Sequence, residues 1–191
     1  MSDFKINSIA TKQGQHGPVI AGVSTINSTG CMMIPSGPTE MRGGRGRMVT
    51  YGGAVPDYLS NMNSIEIAST GGGTDFGDAS ANTGFGSGMG SSTRGVFKQG
   101  RDSPGFSPHI EFVTFSSLGG VTDFGIDNGV SQDSSASSAD NTRGIFGNGT
   151  SYDANIQLIT LASGGDTSNF GDLAEARSQP GAVSNGHGGL G

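Results

Sequence analysis

The chain contains one cysteine, Cys31, no tryptophan, and only 7% aromatic residues. A single cysteine excludes an intramolecular disulfide, and no metal-ligand spacing surrounds it. Lysine and arginine together number 10 against 16 acidic residues, for a net charge of -6. Phosphate backbones are bound by clustered cations, so this balance argues against nucleic acid as the main partner. No apolar run approaches the roughly 20 residues needed to cross a bilayer, which argues against membrane insertion. The segment Met1-Ser-Asp-Phe-Lys5 lacks the charged and apolar regions of a signal peptide, so the expectation is synthesis and folding in a cytoplasm.

Glycine, by contrast, is abundant, at 36 of 191 residues, and serine and threonine are plentiful. Such a composition approaches that of disordered sequence. A recurring unit argues for order instead. Thr93-Arg94-Gly95-Val96-Phe97 returns 49 residues later as Thr142-Arg143-Gly144-Ile145-Phe146, and a degenerate copy, Arg47-Met48-Val49-Thr50-Tyr51, lies 47 residues earlier. A second landmark, Thr74-Asp75-Phe76-Gly77-Asp78, returns as Thr122-Asp123-Phe124-Gly125-Ile126 and as Ser168-Asn169-Phe170-Gly171-Asp172. Two landmarks in one order at nearly one spacing mark a repeat, and this period is that of propeller blades or stacked arrays.

Within the second copy, Arg94–Lys98 reads as a short strand. Ile110-Glu-Phe-Val-Thr-Phe-Ser116 reads as a second, with equivalents Met62–Ala68 and Ile156–Ala162. Its first, fourth and sixth positions are apolar in all three copies. This departs from strict alternation and predicts a strand covered on both faces near its end. Val121–Gly125 predicts a third strand, and Gly129–Ala139 is the candidate fourth. Four short strands separated by glycine turns describe one antiparallel blade. The expected fold is all-β: an N-terminal β-arm, then three propeller-blade-like antiparallel repeats of about 48 residues. The arm spans 1–41 and the repeat domain 42–191, with units at about 45–92, 93–141 and 142–191.

The chemistry-bearing residues have structural explanations. Asp75 and Asp123 precede Phe-Gly as the metal-binding aspartate of a protein kinase does. Here the motif recurs, lacks a catalytic loop and becomes Asn169 in the third copy, so a turn aspartate beside a core phenylalanine is expected. Gly71–Asp78 faintly resembles a calcium nonapeptide but lacks the tandem nine-residue period. Arg42-Gly-Gly-Arg45-Gly-Arg47 has the look of an RNA-contacting RGG segment, yet three arginines at a domain junction more often serve as local carboxylate or carbonyl partners, and that is the expectation here. Arg47, Arg94 and Arg143 occupy one repeat position and are expected to pair with the recurring aspartate. His16, His109 and His187 share no repeat position or ligand spacing. No catalytic, cofactor-binding or metal residue is assigned, and the chain is not read as an enzyme.

Residues 1–41 fall outside the repeat. Phe4–Ala10, Val19–Ile26 and Cys31–Pro35 read as short strands that cannot bury themselves, fitting either a docking or oligomerising arm or an extension folded back on the repeat domain.

Gly17-Pro-Val-Ile-Ala-Gly-Val-Ser-Thr25, Ile34-Pro-Ser-Gly-Pro-Thr-Glu40 and Arg42–Arg47, continuing into Ser-Thr-Arg-Gly-Val-Phe, Ile-Glu-Ile-Ala-Ser-Thr and Thr-Asp-Phe-Gly-Asp, resemble virion structural proteins of cyanophages and related marine tailed phages. These carry kelch-like or tail-fibre-like glycine-rich β-repeats. The likeness runs from about Gly17 to Asp172. It implies a tail-associated virion component that contacts other virion proteins and a host-surface glycan or receptor, assembled in the host cytoplasm. The alternative is a purely architectural neck, collar or capsid decoration protein. Three blades are too few for a closed propeller, since known ones start at about four. Two chains completing a ring, three chains packed about an axis, or an open array would each resolve this, and analogy with phage appendages favours a homotrimer.

Overall fold

A computed structural model describes residues 19–20, 24–25 and 46–184, apart from 68–69, 92, 103–104, 130–132, 148 and 151. The described chain is all-β. A two-residue pair, β1 (Val19–Ile20) and β2 (Ser24–Thr25), lies within the stretch expected to be one strand, Val19–Ile26. The two pair antiparallel, Val19 opposite Thr25 and Ile20 opposite Ser24, so the stretch is not a single strand. The other two expected arm strands, and the tail 185–191, lie outside the described residues.

Three further sheets follow, each a simple up-and-down antiparallel meander. The first holds β3 (Arg47–Ala54), β4 (Tyr58–Glu66) and β5 (Thr74–Thr83). The second holds β6 (Ser87–Gly90), β7 (Arg94–Lys98), β8 (His109–Thr114) and β9 (Thr122–Ile126). The third holds β10 (Ala136–Ala139), β11 (Arg143–Gly147), β12 (Asp153–Thr160) and β13 (Ser168–Arg177). The sheets do not close into a barrel or ring among the described residues. The strand expected at the end of the second unit, within Gly129–Ala139, is β10, and it pairs with β11 as the first strand of the third sheet. The four-stranded sheets are therefore offset by one strand from the sequence units.

The Asp-Phe-Gly motif sits inside a strand, where it forms the same irregularity three times. Met62 opposes Gly77 while Asn63 opposes Asp75, which leaves Phe76 as an extra residue. Phe124 and Phe170 are extra in the same way. A one-residue bulge turns the phenylalanine onto a chosen face and bends the strand. The glycine after it carries φ of +132, +148 and +142 at Gly77, Gly125 and Gly171. Side-chain-bearing residues rarely adopt that conformation. The aspartate is thus a strand residue, not a turn residue, and in the first copy its Oδ1 accepts the Gly77 N–H at 3.1 Å.

The sheets stack face to face through two cores. Met62 and Phe76 of the first sheet pack with Phe97 and Val113 of the second. Val96, Ile110 and Phe124 of the second pack with Ala139, Phe146, Ile159 and Leu161, on the side of the third. Neighbouring residues of β7 thus face opposite ways, Val96 toward the third sheet and Phe97 toward the first. In β8, Ile110 and Val113 divide in the same manner. This explains the broken alternation, because the middle sheet is covered on both faces. Burying a phenylalanine or branched aliphatic side chain contributes about 1.5–3 kcal/mol, so the two interfaces supply most of the cohesion that no single sheet could provide.

Candidate functional site

The feature built most repetitively is the seam where one repeat meets the next. On its outer side, the bulged strand of each repeat binds backbone of the following one. Gly119 N–H donates to Phe76 O at 3.0 Å and Val121 N–H to Asp78 O at 3.2 Å. One repeat on, Gly165 N–H donates to Phe124 O at 2.7 Å and Thr167 N–H to Ile126 O at 2.9 Å. The approach is too close for side chains. A Cβ on Gly77 would lie 2.6 Å from the Gly119 carbonyl carbon, and one on Gly125 would lie 2.5 Å from that of Gly165. The glycine of Asp-Phe-Gly is therefore fixed twice, by its own φ and by the neighbouring backbone.

The recurring arginine latches the same seam. Arg47 donates from one guanidinium nitrogen to Phe115 O at 2.7 Å, and its Nε lies 3.0 Å from Glu66. Arg94 donates to Leu161 O and Ala162 O at 3.1 and 2.8 Å. Phe115 and Leu161 are equivalent residues, each donating its own N–H to the threonine before the recurring arginine. The expected pairing with the recurring aspartate is thus replaced by strand-end carbonyls of the next repeat. Charged donors on carbonyls make stronger bonds than neutral ones and need no buried counter-charge.

Several polar groups inside the stack are paired to one another, while Thr83 Oγ1 and Ser87 Oγ are buried without a hydrogen-bond partner among the described residues. Lys98 Nζ lies 2.5 Å from Asp127 Oδ2, both side chains almost wholly buried. Asp127 Oδ1 also accepts from Thr167 Oγ1 at 3.2 Å and from Gly129 N–H at 2.9 Å. Tyr51 stacks on Phe97 with centroids 4.6 Å apart and donates its hydroxyl to buried Glu111 at 2.6 Å. Burial first, then the adjacent Glu111 carboxylate, pushes the Tyr51 phenol above its usual range. At the turn before β11, Asp140 Oδ1 accepts the N–H groups of Thr142 and Arg143, both at 2.6 Å, which lowers its carboxyl below the usual value. Ser91 Oγ accepts the N–H groups of Thr93 and Arg94 at the equivalent turn, at 3.3 and 3.2 Å.

One loop cluster differs from these interior arrangements. Paired backbone bonds between Gly84 and Arg101 join the loop after β5 to the loop after β7. Phe85, 55% exposed and held at φ +57, meets Tyr58 edge to face at 6.3 Å. Arg101 lies 4.8 Å over the ring of Phe106, which is 43% exposed, and pairs with Asp133 at 3.1 Å. Neither phenylalanine falls on a strand motif, and the loop pairing that brings them together leaves no local signal in the sequence.

Of the residues singled out in the sequence, Asp75 and Asp123 are exposed strand residues and His109 is exposed at the start of β8. Arg42, Arg45, Cys31, His16 and His187 lie outside the described residues. Among the described residues no cluster of three metal-ligating side chains exists, and no helix is long and apolar enough to cross a membrane. A hollow of about 290 Å³ beside Arg47, Glu66, Gly71, Gly72, Thr74 and Leu118 is lined by an ion pair already satisfied within it. Neither a protein-family model nor any curated protein matches the chain.

Proposed function

We propose that the chain is a structural protein of a tailed-phage particle, tail-associated or tail-fibre-like, with no enzymatic role. In this reading residues 1–41 dock on other virion proteins and the repeat domain faces outward as blade-like sheets. The protein is assembled in the host cytoplasm and works in the virion as a homo-oligomer, a trimer by analogy with phage appendages. The motifs that carry the resemblance, Arg-Gly-Val-Phe and Thr-Asp-Phe-Gly, are the ones engaged in locking repeat to repeat. The buried Lys98–Asp127 and Tyr51–Glu111 pairs serve structural pairing, as in a scaffold.

The observation that favours host contact is the loop cluster of Tyr58, Phe85, Arg101 and Phe106. Exposed aromatic faces beside a guanidinium suit the apolar faces and hydroxyls of a glycan, and binding residues concentrate on loops held by a rigid scaffold. A purely architectural neck, collar or capsid decoration is the second reading, favoured by the bonds that lock the two internal seams. Immunogold electron microscopy of the source phage tests both. Label on the tail or fibres supports the first reading, label over capsid or neck supports the second, and absence of label on intact and disrupted particles overturns both. If the first holds, isolated protein adsorbs to susceptible cells, and Phe85→Ala with Phe106→Ala reduces adsorption without unfolding the chain.

A further inference from the structure

Among the described residues the seam occurs twice, and each end of the stack carries one half of it that no described residue fills. At the tail, the third repeat presents everything that the first two use to hold a follower. Gly171 has the bulge conformation, φ +142, with nothing within 4 Å of where a Cβ would stand. Phe170 is 55% exposed, although its equivalents Phe76 and Phe124 are buried at 2% and 5%. Arg143 is exposed and its guanidinium has no hydrogen-bond partner among the described residues, while Arg47 and Arg94 both reach carbonyls of the next repeat. Ile145, Ile156 and Leu158, equivalent to the third-sheet-facing Val96, Ile110 and Phe112, are only partly covered.

At the head, the first repeat presents the complementary half. Ile67 is equivalent to Phe115 and Leu161, whose carbonyls accept the arginine, and it is 68% exposed where Leu161 is 1%. Gly71 and Gly73 are equivalent to the donor pairs Gly119/Val121 and Gly165/Thr167. They are exposed, with open space around Gly71. Gly71 lacks the positive φ of Gly119 and Gly165, but a glycine reaches it at little steric cost. Met48, 43% exposed, adds apolar surface to this face.

We propose that a second copy of this chain docks head to tail. The first repeat of one copy sits on the third repeat of another, with Phe170 covered, Arg143 donating to Ile67 O of its neighbour, and the neighbour's Gly71 and Gly73 amides donating to Phe170 O and Asp172 O. The occupant is a second copy because both half-seams belong to an interface the chain already makes twice with itself. Such a contact joins two different faces, so it closes into a ring or propagates as a filament. Two copies supply six sheets, within the roughly four-to-eight range of closed propellers, and three supply nine, outside it. The inference keeps the homo-oligomer of the preceding section but favours two copies over the three that analogy gives, and it does not depend on where in a virion the protein resides.

Sedimentation velocity on the full-length chain tests it with two variants. Arg143→Glu places a carboxylate against carbonyls and blocks the tail, and Ile67→Glu blocks the head. Both positions are exposed, and circular dichroism confirms that each variant folds. The expected result is assembly of the parent chain, monomers for each variant alone, and a discrete two-chain species when they are mixed, since one keeps a free head and the other a free tail. A monomeric parent chain, variants that keep the parent's mass, or a mixture that stays monomeric would each overturn the proposal. One variant that keeps the parent's mass while the other is monomeric would identify a face-to-same-face contact instead. None of these outcomes depends on the immunogold result.

Discussion

Replacing glycine by alanine at Gly125 and at Gly171 separates the cost of backbone conformation from the cost of the seam. Both glycines occupy the same bulge position with nearly equal φ, +148 and +142. Alanine at either adds strain of about 1–3 kcal/mol. Only at Gly125 does the new Cβ meet a neighbour, 2.5 Å from the Gly165 carbonyl carbon, which forces the two repeats apart. That separation puts at risk the bonds from Gly165 N–H to Phe124 O and from Thr167 N–H to Ile126 O. At about 0.5–1.5 kcal/mol each, their loss makes Gly125→Ala costlier than Gly171→Ala by about 1–3 kcal/mol. The comparison belongs in the Ile67→Glu background, so that no second copy occupies the tail. With no tryptophan to report unfolding, urea denaturation followed by far-ultraviolet circular dichroism is the assay. Equal losses at the two positions would refute the reasoning, because only conformational strain would then be at work.

Phe124→Ala empties a core position and is expected to cost about 3–5 kcal/mol, while Phe170→Ala in the same monomeric background stays within about 1 kcal/mol; thermal unfolding distinguishes them. Lys98→Met strands the buried Asp127 carboxylate and costs about 3–5 kcal/mol, whereas the pair Lys98→Met with Asp127→Leu recovers most of it; a single variant as stable as the double would contradict the pairing. For Tyr51 the folded phenol titrates above its unfolded value, so its contribution is intact below about pH 10 and declines above it by up to about 1.4 kcal/mol per pH unit. Tyr51→Phe removes that alkaline decline and costs about 1–3 kcal/mol at neutral pH through the lost bond to Glu111; parallel stability curves for the two proteins from pH 9 to pH 12 would disprove the assignment.

The repeat period and the two-faced burial of β8 were legible because they are periodic. Ile110, Val113 and their equivalents mark the same strand three times, although only β8, in the middle sheet, is covered on both faces. The strand membership of β10 was not legible, since Ala136-Ser-Ser-Ala139 carries little apolar signal and its sheet is chosen by pairing with Arg143–Gly147. Asp-Phe-Gly was readable as a repeated structural motif but not as a bulge. A bulge is defined by the partner strand's register, which a single stretch of sequence does not contain. The arginine's partner was misread for a similar reason. Carbonyls have no residue identity, so a chain that shows aspartate at a fixed spacing suggests an ion pair where the structure uses main-chain acceptors at Phe115, Leu161 and Ala162. The loop cluster around Phe85 and Phe106 depends on contacts between loops and left no trace in either strand pattern.

Amide hydrogen exchange on the Ile67→Glu chain tests the central claim, that each repeat is locked to the next through its bulged strand. Gly119, Val121, Gly165 and Thr167 donate across the two internal seams, and their amides are expected to exchange slowly, near the rate set by global unfolding. Gly71 and Gly73, the same positions with no preceding repeat, are expected to exchange fast. If Gly119 and Gly165 exchanged as rapidly as Gly71, the repeats would be merely adjacent rather than locked, and the account would fail.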